Sequence, residues 1–358
     1  MRIILATGIF PPDIGGPATY VRGVARELTA RGDSVTVITY GAQQGYEKPE
    51  GYAVVSVGKH GGPLARWMRY RKELIAHGKD ADYVCAFTSI SAGVPLLLSS
   101  LKTPTKVLRL GGDFFWERYT DAGGTKTLRQ WYASRFSFWR MVNALIMGRV
   151  LRSFDRLVYS TEFQRDIHLS VYHRLPLSSV ESNAQPESVL VYHERHSPFR
   201  LLFMGRFVRF KNIASLIDAM KLLPDTTLTI VGEGPLETEL KNRVMQAGVG
   251  DRVSFRPSVS GDEKRRLFDE HDLLVLPSLT EISPNTALEA RSVCLPVLLT
   301  EETGLPEIPD IIRRTLKTPE EIATAIRDVM EHYPSPKAEE SLRTYQKISD
   351  ALFPPISR

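Results

Sequence analysis

The chain has 358 residues, 42% of them hydrophobic and 24% charged, with a formal net charge of +5 and two cysteines. At about 150 residues per domain this length suggests two domains, and such ordinary globular usage excludes wholesale disorder, a collagen-like fibre and a small disulfide scaffold. Cys85 and Cys294 stand far apart and in no C-x-x-C, which excludes a disulfide framework and a zinc knuckle and suits a reducing compartment.

The opening MRIILATGIFPP carries one charge and no A-x-A-like cleavage site. It reads as a first strand, Arg2–Phe10, rather than a signal peptide. A helix over Pro17–Ala30 follows, with proline suited to its first turn. Short β-branched or aromatic runs predict strands at Val35–Tyr40, Ala53–Val57, Tyr83–Phe87, Lys106–Leu110 and Arg156–Ser160, with helices between them. Near Val180 the texture turns polar, and ESNAQPES and ERHSPF read as a linker.

A second alternation then begins. Strands are predicted at Arg200–Met204, Thr227–Val231, Val253–Phe255, Leu273–Leu276 and Pro296–Leu299. Helices are predicted at Ile213–Leu222, Leu236–Ala247, Asp262–His271, Asn285–Arg291 and Pro319–Glu331, the last with Thr318 as N-cap and acids in its first turn. A final helix covers about Glu339–Leu352. Strand–helix alternation means parallel sheets covered by helices, so two doubly wound α/β halves are expected. The expected domains are 1–182 and 183–334, with a C-terminal helix in 335–358 packing back on the first. Ligands of such sheets bind at the carboxyl ends of the strands, and in a two-lobed protein the cleft is the natural place. No stretch reaches 18 apolar residues, so no membrane-spanning helix is expected.

Charge is uneven. Residues 1–180 carry a net +10 and residues 181–358 a net −5. The basic residues of the first half sit among aromatics in two runs, Lys59 to Lys72 and Lys126 to Arg156. Basic, aromatic helices lie at membrane interfaces, although a solvated helix face has the same composition. No zinc-finger, RRM-like or helix-turn-helix signature points to nucleic acid.

Four strand-to-helix loops carry candidate chemistry. In Pro11–Pro17 the paired Gly15 and Gly16 let backbone approach an anion. In Gly205–Asn212, Arg206 and Lys211 can converge as a diphosphate clamp beside a helix N-terminus. Val231-Gly232-Glu233-Gly234-Pro235 is half of a G-x-G-x-x-G and is equally an ordinary turn. In Pro277–Glu289, Glu281 lies on a loop at a strand end and Glu289 within the next helix, with N–H groups at Ser283, Pro284-flanked Asn285 and Thr286 between them. Asp80-Ala81-Asp82 precedes a strand, and the histidine pairs have no convincing metal spacing, so no metal site is expected.

Together these pieces resemble a known pattern. FPPDIGGPATYVRGVARELTARGDSVTVIT, then FMGRFVRFKN, IVGEGP and the E-x₇-E run EISPNTALE are similar, in order and spacing, to the group 1, glycogen-synthase-like family 4 glycosyltransferases. The resemblance covers nearly the whole chain. It implies the GT-B fold of two Rossmann-like domains, a nucleotide-sugar donor held mainly by the C-terminal one, and transfer with retention and without a metal or other cofactor. It implies that Arg206 and Lys211 grip the donor diphosphate, that Glu289 binds the ribose and that Glu281 binds the sugar hydroxyls. Gly15 and Gly16 would face the phosphates, and Gly232, Ser283, Pro284, Asn285 and Thr286 would complete the donor site. Where many members place a histidine in the catalytic region, this chain has Asp113, which joins Glu281, Arg206 and Lys211 in the expected catalytic set. Arg256-Pro257 stands near the nucleobase in place of a glycine-containing turn.

The function expected is transfer of a hexose-type unit from a UDP- or GDP-sugar to a lipid-linked or envelope-glycan acceptor, at the cytoplasmic face of a membrane. A soluble acceptor, or a catalytically silent nucleotide-sugar binder, are the alternatives. Lys211→Ala and Glu289→Ala are each expected to weaken donor binding with the fold intact.

Overall fold

The computed structural model describes residues 1–13, 15–41, 45–48, 50–134, 138–184, 195–308, 311–334 and 344–354. Most of the expected linker, residues 339–343 of the expected last helix, and Arg135 and Phe136 of the second basic run lie outside them. The chain divides into two units.

The first unit is built on eight strands: β1 (Arg2–Ala6), β2 (Ser34–Gly41), β3 (Gly45–Glu47), β4 (Ala53–Gly58), β5 (Tyr83–Ala86), β6 (Thr105–Leu110), β7 (Arg156–Tyr159) and β8 (Leu177–Val180). Their order is β3-β4-β2-β1-β5-β6-β7-β8, and only β3 runs antiparallel to its neighbour. Helices α1 (Gly16–Ala30), α2 (Pro63–Gly78) and α3 (Gly93–Ser99) lie between the earlier strands. Two more, α4 (Phe114–Asp121) and α5 (Leu128–Ala133), precede α6 (Phe138–Leu151) and α7 (Glu162–Val171). The core fills from alternate strand positions such as Ile3, Leu5 and Val37 and from the inner face of α1, Val21, Val24 and Leu28, all fully buried. The predicted first strand runs past the ladder: the sheet ends at Ala6, yet Phe10 still enters the core.

The second unit has six parallel strands: β9 (Phe199–Met204), β10 (Thr226–Val231), β11 (Val253–Arg256), β12 (Leu273–Leu276), β13 (Val297–Thr300) and β14 (Ile311–Arg314). They are ordered β11-β10-β9-β12-β13-β14. Its helices are α8 (Ile213–Ala219), α9 (Glu237–Ala247), α10 (Gly261–Asp269), α11 (Asn285–Ser292) and α12 (Pro319–Glu331). The order reverses between β9 and β12, which opens a crevice at the carboxyl ends of those strands.

Two segments sit away from their place in the chain. Trp116–Ala133, inside the expected first domain, clusters with the second unit. There Trp116 lies 5.2 Å from Phe210, the Thr127 hydroxyl donates to Glu302 at 2.8 Å, and the Leu128 N–H donates to Thr280 at 2.9 Å. At the other end, α13 (Tyr345–Leu352) belongs to the first unit and packs on α1. Gly23 leaves room for the Tyr345 ring, Arg31 meets Asp350 at 3.1 Å, and Arg156 donates to the Ala351 carbonyl at 2.8 Å.

Both cysteines are buried, one in each unit, and burial pushes the Cys85 thiol up to about 12. The α12 N-terminus carries the expected cap: Thr318 Oγ1 accepts from the Glu321 N–H at 3.2 Å, and Glu321 Oε2 accepts from the Thr318 N–H at 3.0 Å. Thr318→Ala leaves one of these helix-end donors without its acceptor and is expected to destabilise by about 1 kcal/mol. Thermal melting of the variant checks this, and Thr318→Ser should recover most of the loss.

Candidate active site

In the second unit three loops leave the carboxyl ends of neighbouring strands: Gly205–Asn212 after β9, Gly232–Pro235 after β10 and Pro277–Pro284 after β12. The first two are stitched together by backbone. The Gly205 N–H donates to Val231 at 3.0 Å, and the Phe207 N–H donates to Glu233 at 2.9 Å. That approach explains the two glycines. A Cβ at Gly232 would land on the Gly205 carbonyl oxygen, and one at Gly234 would lie 2.6 Å from the Phe207 carbonyl oxygen. The G-x-G signal is therefore first a packing requirement between two loops.

The first loop ends in a single 3₁₀ turn, Arg209–Lys211, and Asn212 in the left-handed region (φ 53°) turns the chain into α8. This turn delivers Lys211 to the third loop. Its Nζ donates to Glu281 Oε1 at 2.5 Å, and the Ser278 hydroxyl donates to the same oxygen at 2.6 Å. The pair is nearly enclosed, with 17% of the Lys211 side chain and 6% of the Glu281 side chain exposed. Glu281 Oε2 takes no hydrogen bond among the described residues, so it is the oxygen left to a ligand. The loop itself is pinned: the Glu281 N–H donates to Glu302 and the Gly304 N–H donates to Glu281, both at 2.9 Å. Lys211 also lies 5.1 Å from the Phe210 ring, which Trp116 contacts at a tilt.

Arg206, on the same loop, is exposed and meets no acceptor among the described residues. Pro284 caps α11, so Ser283, Asn285 and Thr286 form the helix entry, where N–H groups outnumber intrahelical acceptors. Glu289 lies in the second turn of α11 and is ion-paired with Lys264 of α10. The structure thus joins Lys211 to Glu281 and Glu289 to Lys264, and leaves Arg206 as an unpaired cation among the described residues of this set.

In the first unit, Gly15 and Gly16 open α1, with the Thr19 N–H bonded to the Gly15 carbonyl at 3.2 Å. Asp113 points inward. Its carboxylate is fully buried, 3.3 Å from His168 Nε2, and the imidazole sits edge-on between Tyr159 and Tyr172. Behind it, Arg109 is buried and donates to the Glu181 carbonyl and to Asn183 Oδ1, both at 2.8 Å. Asp82, of the D-x-D, accepts the Arg2 N–H at 2.7 Å. Lys264 and Ser278 escaped the sequence reading, and His168, set aside there with the histidine pairs, is the buried partner of Asp113. Only Ser278, three positions before Glu281, had a local signal to offer.

Residues 187–347 match the family described as Glycosyl transferases group 1, and residues 15–172 match the Glycosyl transferase 4-like domain. The chain belongs to the group 1, family 4-type glycosyltransferases. The match to the amylovoran biosynthesis glycosyltransferase AmsK of Erwinia amylovora is 34% identical over 126 residues, 32% of this chain and 30% of that protein. An uncharacterised glycosyltransferase of Methanocaldococcus jannaschii is 26% identical over 86% of this chain and 82% of its own length. Among solved structures, sucrose-phosphate synthase from Thermosynechococcus elongatus superposes with a TM-score of 0.75 at 17% identity, over 98% of this chain and 94% of that one. Anabaena HepE in complex with UDP-glucose gives 0.71 at 16%, over 99% and 95%. The fold of this glycosyltransferase is GT-B.

Proposed function

We propose that this glycosyltransferase moves a hexose-type unit from a UDP- or GDP-sugar to a lipid-linked or envelope-glycan acceptor, with retention at the anomeric carbon and without a metal. The observation that carries the donor reading is the Lys211–Glu281 pair at the β9 and β12 ends, beside the uncommitted Arg206 and the α11 entry. UDP-glucose bound to HepE and the role of AmsK in amylovoran biosynthesis support the donor and acceptor classes. In the reaction the anomeric C–O bond breaks and its electron pair leaves with the diphosphate. Arg206, Lys211 and the α11 N–H groups stabilise that charge in place of a divalent ion. The acceptor oxygen forms the new bond on the same face, and its proton passes to the departing phosphate. Glu281 Oε2 accepts from a sugar hydroxyl, and Glu289 accepts from the ribose diol. Asp113, buried against His168, acts as a positioning residue for the β6 loop.

A thermal-shift screen against UDP, GDP, ADP and their sugar conjugates, with and without EDTA, tests the donor site. Stabilisation by one nucleotide family that EDTA leaves unchanged is the expected result; stabilisation that EDTA abolishes overturns the metal-free reading. Arg206→Ala should melt as the wild type does, because its guanidinium holds nothing in the fold. It should bind donor roughly 10- to 100-fold more weakly, the worth of a charge-assisted phosphate contact. Unchanged donor affinity in this variant removes Arg206 from the site.

A further inference from the structure

The two basic, aromatic runs separate once folded. In the first, Tyr70 is buried, Arg69 donates to the Gly58 carbonyl, Arg71 donates to Leu98 and Lys59 pairs with Asp13. In the second, Trp131 and Tyr132 are buried and Arg156 holds α13. What stays outside is one face of α6. Phe138 and Leu145 are 68% exposed and Trp139 is 72% exposed, with Met141 and Ile146 beside them. The opposite face, Met147, Val150 and Leu151, is buried in the first unit. A helix apolar on both faces needs a second apolar medium. Arg149 at the C-terminal end of the helix and Arg152 just beyond it continue the outer face, both exposed, with Arg152 also donating to the His173 carbonyl at 3.2 Å. Between Asp121 and Asp155 the chain has no acidic residue.

We propose that α6 is a membrane-interface helix, which lies in the plane of an anionic bilayer with Phe138, Trp139, Met141, Leu145 and Ile146 among the acyl chains and Arg149 and Arg152 at the phosphates. The charge pattern selects this occupant. A protein partner or a second copy leaves an acid-free, arginine-flanked face to find its own acids, whereas an anionic leaflet supplies the counter-charge everywhere. The proposal deepens the lipid-linked acceptor reading and rests on it for its purpose, while bilayer binding is measurable with no sugar transfer.

The test uses the full chain and vesicles of phosphatidylcholine alone or mixed equally with phosphatidylglycerol. Co-sedimentation with the mixed vesicles only, weakened by high salt, is expected, together with a blue shift of tryptophan emission. Trp116 and Trp131 are already buried and Trp67, half-buried on α2, is not part of the proposed face, so most of the shift should be lost in Trp139→Phe while sedimentation persists. Phe138→Ser/Leu145→Ser and Arg149→Glu/Arg152→Glu should each weaken binding roughly tenfold or more with an unchanged nucleotide-induced shift; the first should melt as the wild type does and the second slightly lower, having lost the Arg152 bond to the His173 carbonyl. Wild-type protein that responds to nucleotide but ignores anionic vesicles overturns the proposal. So does vesicle binding untouched by both double variants, or a dimer in light scattering that the Phe138→Ser/Leu145→Ser variant dissolves. Loss of the nucleotide response with vesicle binding retained counts against the donor reading alone.

Discussion

Lys211→Ala is expected to destabilise the second unit by about 3 kcal/mol, because it strips the ammonium from a carboxylate that the fold encloses. At roughly 2–4 °C per kcal/mol for a unit of this size, the melting transition should fall by about 6–12 °C. The sequence suggested a variant with an intact fold and a weakened donor site; the ion pair ties the two effects together. A double variant separates them. Lys211→Met/Glu281→Leu removes both charges and keeps similar volume, so it should regain most of the lost stability. It should not regain the nucleotide-induced shift, since the cation proposed for the diphosphate is gone. Urea or thermal unfolding of the two single variants and the double variant gives the coupling energy directly. A Lys211→Ala protein that melts with the wild type would mean that the pair contributes nothing to the fold. A double variant that still responds fully to nucleotide would remove Lys211 from donor binding.

The order of strands and helices was readable because most strands are short apolar runs, buried whole in the case of Leu273–Leu276. Three strands carried no such signal. Gly45–Glu47 is exposed throughout, Leu177–Val180 is half-exposed with two serines, and Ile311–Arg314 ends in two arginines. All three lie at or beside a sheet edge, where burial on two faces no longer shapes composition. The opposite error occurred at Phe10, whose apolarity marks burial and not membership of the ladder. At the site, residue types were legible and partnerships were not. Lys211 and Glu281 are 70 positions apart, and Lys264 reaches Glu289 from another helix. No local pattern encodes such a meeting; the order of strands does. The basic runs show the same limit. Composition could not tell Arg69, turned onto backbone carbonyls, from Arg149, left outside, because helical phase and neighbouring loops decide which side chains the fold captures.

Gly232→Ala tests whether the loop pair is the frame of the site. Gly232 has a φ of 143°, and the Gly205 carbonyl already occupies the place a Cβ would take. Both atoms in conflict are backbone or bonded to it, so no side chain can swing aside. Relief requires the Gly232–Pro235 and Gly205–Asn212 loops to separate, which breaks the hydrogen bond from Phe207 to Glu233. The expected cost is about 3 kcal/mol or more, the sum of strain and lost backbone bonding. The same separation carries the Arg209–Lys211 turn away from Glu281, so the nucleotide-induced shift should shrink as well. Gly250→Ala is the control in the same unit: its added Cβ meets only Val244, at 4.0 Å, and it should change stability by less than about 1 kcal/mol. If Gly232→Ala melts and binds nucleotide like Gly250→Ala, the loops are free to part without consequence. If it loses stability yet binds donor normally, Lys211 holds its place through Glu281 alone. Loss of both, with the control unaffected, means that a glycine with no side chain of its own sets the position of the cation proposed to receive the leaving diphosphate.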